Sequence, residues 1–396
     1  MLNEKNVKLG KVRSCIRELF EYGKKRKAEI GEENVFDFSI GNPSVPAPKE
    51  VQTALSKLLC EDPVSLHGYT SAQGNFETRK AVSDHLNRTF STSLNPDCIY
   101  MTCGASASLT ISLNALCNAG DEVIIFAPYF PEYKVFIEHA GAKYVAVDGI
   151  CGTFQPDLDK FARALSSKTK AVIINSPNNP SGVVYSEETV KSICRILDKH
   201  CEKTGNPVYL ISDEPYRELI FDDGAKTSCV FNYYRRSLIC YSYSKSLSLP
   251  GERIGYIAVN NRMEEFAEVY AGVLGAGRAL GFVCAPVLFQ KLIARVCGVT
   301  SDISIYKRSR DELCAALTEY GYTVVKPDGA FYLFVKALED DAKKFSERAK
   351  KFELLVVPGD DFGVKGYVRI SYCVPPEMIR KSFPAFKALA ESYKIS

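Results

Sequence analysis

Lys245 sits in the run Ser242-Tyr-Ser-Lys-Ser-Leu-Ser-Leu-Pro-Gly-Glu-Arg-Ile-Gly255, among hydroxyl side chains and eight residues before Arg253. A lysine at its free pKa of about 10.4 is mostly protonated and a weak nucleophile. Burial and a neighbouring cation both favour the neutral amine. The preceding run, Ser237-Leu-Ile-Cys-Tyr241, reads as a buried strand of a parallel sheet. Lys245 then lies just past a strand end, where open α/β sheets bind their ligands. The chemistry would be that of a reactive amine beside an anion. A plain surface loop fits the same residues, and the stretch alone does not choose.

Other residues could share that chemistry. Asp213, in Ile211-Ser-Asp-Glu-Pro-Tyr-Arg217, also ends an apolar strand. A carboxylate there needs a cation or a proton; it either caps the next helix or meets a protonated heteroaromatic nitrogen. Asn179, in Ser176-Pro-Asn-Asn-Pro-Ser-Gly182, lies on a rigid loop that could aim an amide at a ligand or could simply be a turn. Arg369, in Tyr367-Val-Arg-Ile-Ser371, has an apolar setting that suits bidentate capture of a carboxylate or a structural ion pair. Met101-Thr-Cys-Gly-Ala-Ser-Ala-Ser-Leu109 opens a helix at Gly104. The first N–H groups there, of Ala105 and Ser106, could hold phosphate or only begin the helix.

Competing motifs fail. No Gly-x-x-x-x-Gly-Lys-Ser/Thr loop occurs. Gly275-Ala-Gly277 with Gly281 loosely suggests a dinucleotide turn, but Glu264 to Leu274 reads as helix and such a turn must follow a strand. His67, His85, His139 and His200 are far apart, and no Gly-x-Ser-x-Gly elbow is present. Without Cys-x-x-Cys or a Cys/His cluster, no metal site is expected.

The 396 residues, 46% hydrophobic and 24% charged, describe an ordinary globular protein. A net charge of +3 without aromatic-studded basic runs gives no nucleic-acid footprint. The expected partner is a small molecule. Fourteen scattered cysteines read as reduced thiols of a cytoplasmic protein. No uncharged apolar run reaches about 18 residues, so no membrane span is expected. Strands Glu122–Phe126, Lys143–Val147, Lys170–Asn175, Val208–Ser212, Leu238–Tyr241 and Gly255–Val259 alternate with helices. That pattern predicts an α/β fold with a mostly parallel central sheet flanked by helices.

Past residue 285 the texture becomes α+β, with helices over 301–320, 340–351 and 376–393 and strands at Tyr322–Val325, Phe331–Val335, Leu354–Val357 and Tyr367–Ser371. Val12, Cys15, Ile16, Leu19 and Phe20 sit at helical spacing near the N-terminus. The expected division is 1–47 as a segment packing with the small domain, 48–284 as the large domain and 285–396 as the small domain.

Taken together, these motifs resemble the class I/II aminotransferases of fold type I, the pyridoxal phosphate enzymes related to aspartate aminotransferase. The resemblance runs from Ser39-Ile-Gly-Asn-Pro43 to Arg369-Ile-Ser371 and is most specific in Ser-x-Ser-Lys followed by Gly-Glu-Arg-Ile-Gly. It implies that Lys245 holds pyridoxal 5′-phosphate as an aldimine and carries the proton. Asp213 would keep the ring nitrogen protonated, Tyr216 and Asn179 would contact the phenolic oxygen, and Phe130 would stack on the ring. The phosphate would rest on Gly104, Ala105 and Ser106 with Ser242 and Arg253. Tyr69 would reach across a homodimer to the neighbour's phosphate. Arg369 and the Gly41 backbone would hold the substrate carboxylate, and Arg278 is a candidate for a distal carboxylate. The implied function is an amino acid:2-oxo acid aminotransferase. A cysteine-S-conjugate β-lyase on the same scaffold and a non-catalytic binding or regulatory protein are the alternatives.

Overall fold

A computed structural model describes residues 2–11, 15–222 and 224–394. Val12, part of the expected N-terminal helix, lies outside the described residues; helices form at Glu4–Lys11 and Cys15–Ile30.

Seven strands form the central sheet: β1 Ile99–Thr102, β2 Glu122–Ala127, β3 Lys143–Asp148, β4 Thr169–Asn175, β5 Tyr209–Asp213, β6 Ser237–Ser242 and β7 Gly255–Val259. Their spatial order is β1-β7-β6-β5-β4-β2-β3. Only β7 runs against the others, pairing antiparallel with both β1 and β6. The strands read as unbroken apolar runs because helices cover both faces. Along β6, Ile239 and Tyr241 enter one core layer while Leu238 and Cys240 enter the opposite one, as the two-residue period of a strand requires.

Because β1, β4, β5 and β6 run in one direction, their C-terminal ends meet along one edge. From β6 the chain enters the single helical turn Tyr243–Ser246, whose first N–H groups are capped by the Ser242 side chain. It returns as β7 with Ser242 directly opposite Gly255. The whole Lys245 stretch is thus a hairpin loop closed at its base.

A smaller antiparallel sheet joins Val357–Pro358, Tyr367–Ser371 and Tyr332–Lys336. Its core gathers Leu333, Val368 and Ile370 with Leu317 and Phe386 from the helices Ser304–Glu319 and Pro376–Glu391. Phe36–Asp37 pairs in parallel with Leu354–Leu355, and Phe38 enters the same core.

Several local readings need correction. Tyr322–Val325 forms no strand, only the bridge between Val324 and Val335. The unpredicted β1 has just four residues running straight into a turn. The unpredicted helix Val287–Val296 packs against Lys49–Leu58 and Phe76–Phe90 and shares the large sheet's apolar layer. We accordingly propose that the small unit begins near residue 300 rather than at 285. Gly275 and Gly277 lie inside the helix Phe266–Ala279. No helix among the described residues is long and apolar enough to cross a membrane.

Ile239 is fully buried between β5 and β7. Ile239→Ala should cost about 2–5 kcal/mol, read as a lower urea midpoint at unchanged m-value.

Candidate active site

The shared strand edge opens into a cavity of about 300 Å³. Gly41, Ala105, Ser106, Phe130, Asn179, Asp213, Tyr216, Ser242, Lys245, Arg253 and Arg369 all line it. Residues more than three hundred positions apart are brought together because most stand at a strand end, a helix start or a loop between them, while Arg369 comes from the middle of the strand Tyr367–Ser371 in the smaller sheet.

Lys245 projects from the short turn after β6 and donates from Nζ to the Gly41 carbonyl at 2.7 Å. No carboxylate pairs with it among the described residues. Burial pulls its pKa down to about 8; Cys373 opposes the shift, and Arg253 and Arg369 reinforce it. The sequence reading gave the Gly41 backbone to a substrate carboxylate. Its carbonyl instead accepts from the lysine, which leaves only the N–H for that use. A side chain at Gly41 would collide with the Tyr332 hydroxyl.

Asp213 ends β5 and is 4% exposed. Its Oδ2 accepts from Tyr133 Oη at 2.5 Å and from Asn175 Nδ2 at 3.4 Å. Its Oδ1 is buried without a partner. Burial raises the carboxyl to about 7, the Tyr133 hydrogen bond opposes that rise, and Glu214 adds to it. Neighbours along a strand face opposite sides, and Glu214 is committed to Arg217 at 2.6 Å.

Arg369 is 2% exposed and pairs with no carboxylate among the described residues. It donates from Nη1 to Asn179 Oδ1 at 3.1 Å and from Nη2 to the Ser39 carbonyl at 2.6 Å, while Nε has no partner. A buried guanidinium satisfied only by neutral acceptors is prepared for an anion.

Gly104 adopts φ +86°, and a Cβ there would come within 2.9 Å of the Arg253 guanidinium. The helix Ala105–Leu116 starts at this point, so its first N–H groups lack intrahelical partners beside a cation. Ser242 reaches the cavity, but its hydroxyl is shared with Ser244 Oγ at 2.7 Å. Tyr216 Oη meets Tyr332 Oη at 2.9 Å.

Two expected residues lie elsewhere. Tyr69 is 98% exposed, and Arg278 is exposed at the end of the helix Phe266–Ala279. Neither lines the cavity of its own subunit. Tyr133, Asn175, Ser244 and Tyr332 belong to the site and were missed. Asn175 carried the same signal as Asp213, a polar residue ending an apolar strand; Tyr133 follows Phe130 by about one helical turn.

The group implied by the resemblance fits these residues. A buried carboxylate offers one free oxygen to a ring nitrogen, the Gly104 cradle with Arg253 suits a phosphate, and a depressed lysine faces the same space. Asp213→Asn gives a test in protein without added pyridoxal phosphate. The folded-state pKa of Asp213, about 7 against a usual 3.8, means the native state binds the extra proton. Stability from this group is therefore complete below about pH 4 and is lost as pH rises toward 7. The variant should be more stable than wild type at pH 8, on the order of a few kcal/mol, with the gap closing near pH 4 in urea titrations.

The sequence profile of the family Aminotransferase class I and II matches residues 33–385. A probable aspartate aminotransferase of Methanocaldococcus jannaschii is 30% identical over 96% of this chain and 97% of its own. The crystal structure of an aminotransferase from Eubacterium rectale superposes with a TM-score of 0.97 at 56% identity, covering 99% of both chains. The aspartate aminotransferase of Thermus thermophilus with maleate gives 0.84 at 26% identity over 96% of this chain and 97% of that one. A match over nearly the full length joins a site whose residues suit the cofactor, and the chain belongs to the class I and II aminotransferases, which are pyridoxal phosphate-dependent enzymes.

Proposed function

We propose that this aminotransferase exchanges the amino group of an amino acid with a 2-oxo acid, holding pyridoxal 5′-phosphate in the cavity around Lys245. The observation that carries this reading is the meeting of three ionisable side chains, the buried Asp213 and Arg369 and the part-buried Lys245, none with an ionic partner inside that cavity. When bound, the cofactor supplies an electron sink that makes the substrate Cα–H acidic.

The chain's own residues would do the rest. Arg369, oriented by Asn179 and the Ser39 carbonyl, grips the substrate carboxylate and fixes Cα beside Lys245. The Lys245 amine, whose pKa burial lowers to about 8, would take the substrate Cα proton onto Nζ at mildly basic pH and hold it there for onward transfer. The unpartnered Asp213 Oδ1 would pair with the cofactor's ring nitrogen, and the Ala105 and Ser106 amides with Arg253 would hold its phosphate. Phe130 would pack on the ring, Tyr216 and Asn179 would contact its oxygen, and Ile16, Ile40 and Leu109 line the same cavity with apolar surface.

Tyr69 and Arg278 gain roles only through a second copy of the chain. Tyr69 is 98% exposed and Val283 48%, and their chain neighbours Thr70 and Cys284 meet through Oγ1 and Sγ at 3.2 Å. This supports a homodimer in which Tyr69 reaches the neighbouring phosphate and Arg278 a distal carboxylate. A cytoplasmic location remains part of the proposal.

Protein loaded with pyridoxal phosphate should be yellow, and borohydride should fix the cofactor to Lys245; a colourless protein that takes up none would sink the assignment. Lys245→Ala should lower turnover by about 10²–10⁴-fold or more while retaining some cofactor. Arg369→Ala should raise KM for every amino donor by about 10- to 100-fold, the range for losing a charged hydrogen-bond pair. Amino donors are best screened against 2-oxoglutarate and pyruvate, with Arg278→Ala in parallel. Pyruvate and ammonia released from cysteine conjugates without an oxo acid would favour β-elimination instead.

A further inference from the structure

Asp213 is held from behind by a residue that no chemical motif announces. Tyr133 is 2% exposed, and its hydroxyl donates to Asp213 Oδ2 at 2.5 Å. It stands in the first turn of the helix Glu132–His139, with its ring edge-on to Phe130 at 5.7 Å and 87°. One short helical start therefore carries both the aromatic ring that lines the cavity and the donor that holds the carboxylate.

The other groups around Asp213 cannot replace it. Asn175 Nδ2 lies 3.4 Å from Oδ2 and closer, at 2.9 Å, to the Asp213 main-chain oxygen. Glu214, one residue past the end of β5, adds a like charge and is paired with Arg217. Cys240, opposite Asp213 on β6, shares its hydrogen with Ser112, and Tyr216 is engaged with Tyr332. Burial and the Asp213 charge push the Tyr133 phenol well above its ordinary value, so it remains a donor across the working pH range.

We propose that Tyr133 is a positioning residue whose hydroxyl fixes Asp213 with Oδ1 turned into the cavity and keeps that carboxylate charged for the cofactor's ring nitrogen. The inference rests on the pyridoxal phosphate reading given above. A fixed phenol also distinguishes this arrangement from one built on a group that titrates near neutrality, because the support does not change between pH 6 and 8.

Tyr133→Phe removes one oxygen and keeps the ring contacts. Its cofactor dissociation constant, measured by equilibrium titration of the visible absorbance, should rise about 10- to 100-fold. The acid limb of that binding curve should move up by about one pH unit, a tenfold change in the constant at a fixed pH on that limb. Turnover should fall by a similar factor while KM for the amino donor stays within about threefold, since Arg369 is untouched. In an Asp213→Asn background, adding Tyr133→Phe should change the dissociation constant less than about threefold, because both act through one contact. If Tyr133→Phe does not accumulate as folded protein, Tyr133→His replaces it, and cofactor affinity should then acquire a new pH-dependent step near neutrality. A variant that loses thermal stability but keeps the wild-type affinity and pH profile would overturn the proposal, as would full additivity with Asp213→Asn. A wild-type protein that binds no pyridoxal phosphate would instead remove the cofactor reading itself.

Discussion

Taking a charge out of water without a counter-charge costs several kcal/mol in a real protein, and the site is built on that expense three times over. Asp213 and Arg369 are withdrawn from solvent and Lys245 is partly so, around one cavity, and no ion pair within the described residues relieves them. The two that can shed their charge move toward neutrality from opposite directions, the carboxyl to about 7 and the amine to about 8. Arg369 cannot discharge and is held by neutral oxygens alone. A protonated ring nitrogen would supply the partner that Asp213 lacks, and a substrate carboxylate the one that Arg369 lacks. Part of the fold's stability is in this way held back until the ligand arrives.

The scaffold must be rigid for such an arrangement to persist, because side chains placed this unfavourably would otherwise turn to water. Two apolar layers clamp the central strands, with Ile239 and Tyr241 on one face of β6 and Leu238 and Cys240 on the other. The ends of β4, β5 and β6 then deliver Asn175, Asp213 and Ser242 with little freedom. Arg369 comes from the second sheet, where pairing with Phe334 and Val357 sets its position.

Much of this was legible in sequence for one physical reason. A polar residue that ends a fully apolar strand marks both a strand boundary and a buried functional group, which exposed Asp213 and the approach to Lys245. Arg369 was legible because a guanidinium inside an apolar strand asks for an anion. Tyr133 was not, because a tyrosine among Phe130, Phe136 and Ile137 reads as packing and only the fold reveals its hydroxyl's partner. The four-residue β1 escaped notice because its pairing lies across the sheet with β7, beyond any local pattern. Tyr69 and Arg278 stayed unresolved for a different reason: a single chain does not contain the neighbour that either would touch.

The closed base of the Lys245 loop has an evolutionary consequence. Ser242 and Gly255 are locked opposite each other, and a Cβ at Gly255 would fall 2.2 Å from the Tyr241 carbonyl oxygen. Lys245 and Arg253 each stand within three residues of that lock, one just after β6 and one just before β7. The middle of the loop is fixed as well: Leu247 is buried in the large sheet's apolar layer, Ser248 Oγ meets Ser301 Oγ at 3.1 Å, and the Pro250 carbonyl accepts from Arg253 Nη1 at 3.1 Å. A change of length or packing anywhere in the stretch would shift the lysine against the arginine, so descendants that keep the chemistry are held to the whole of it.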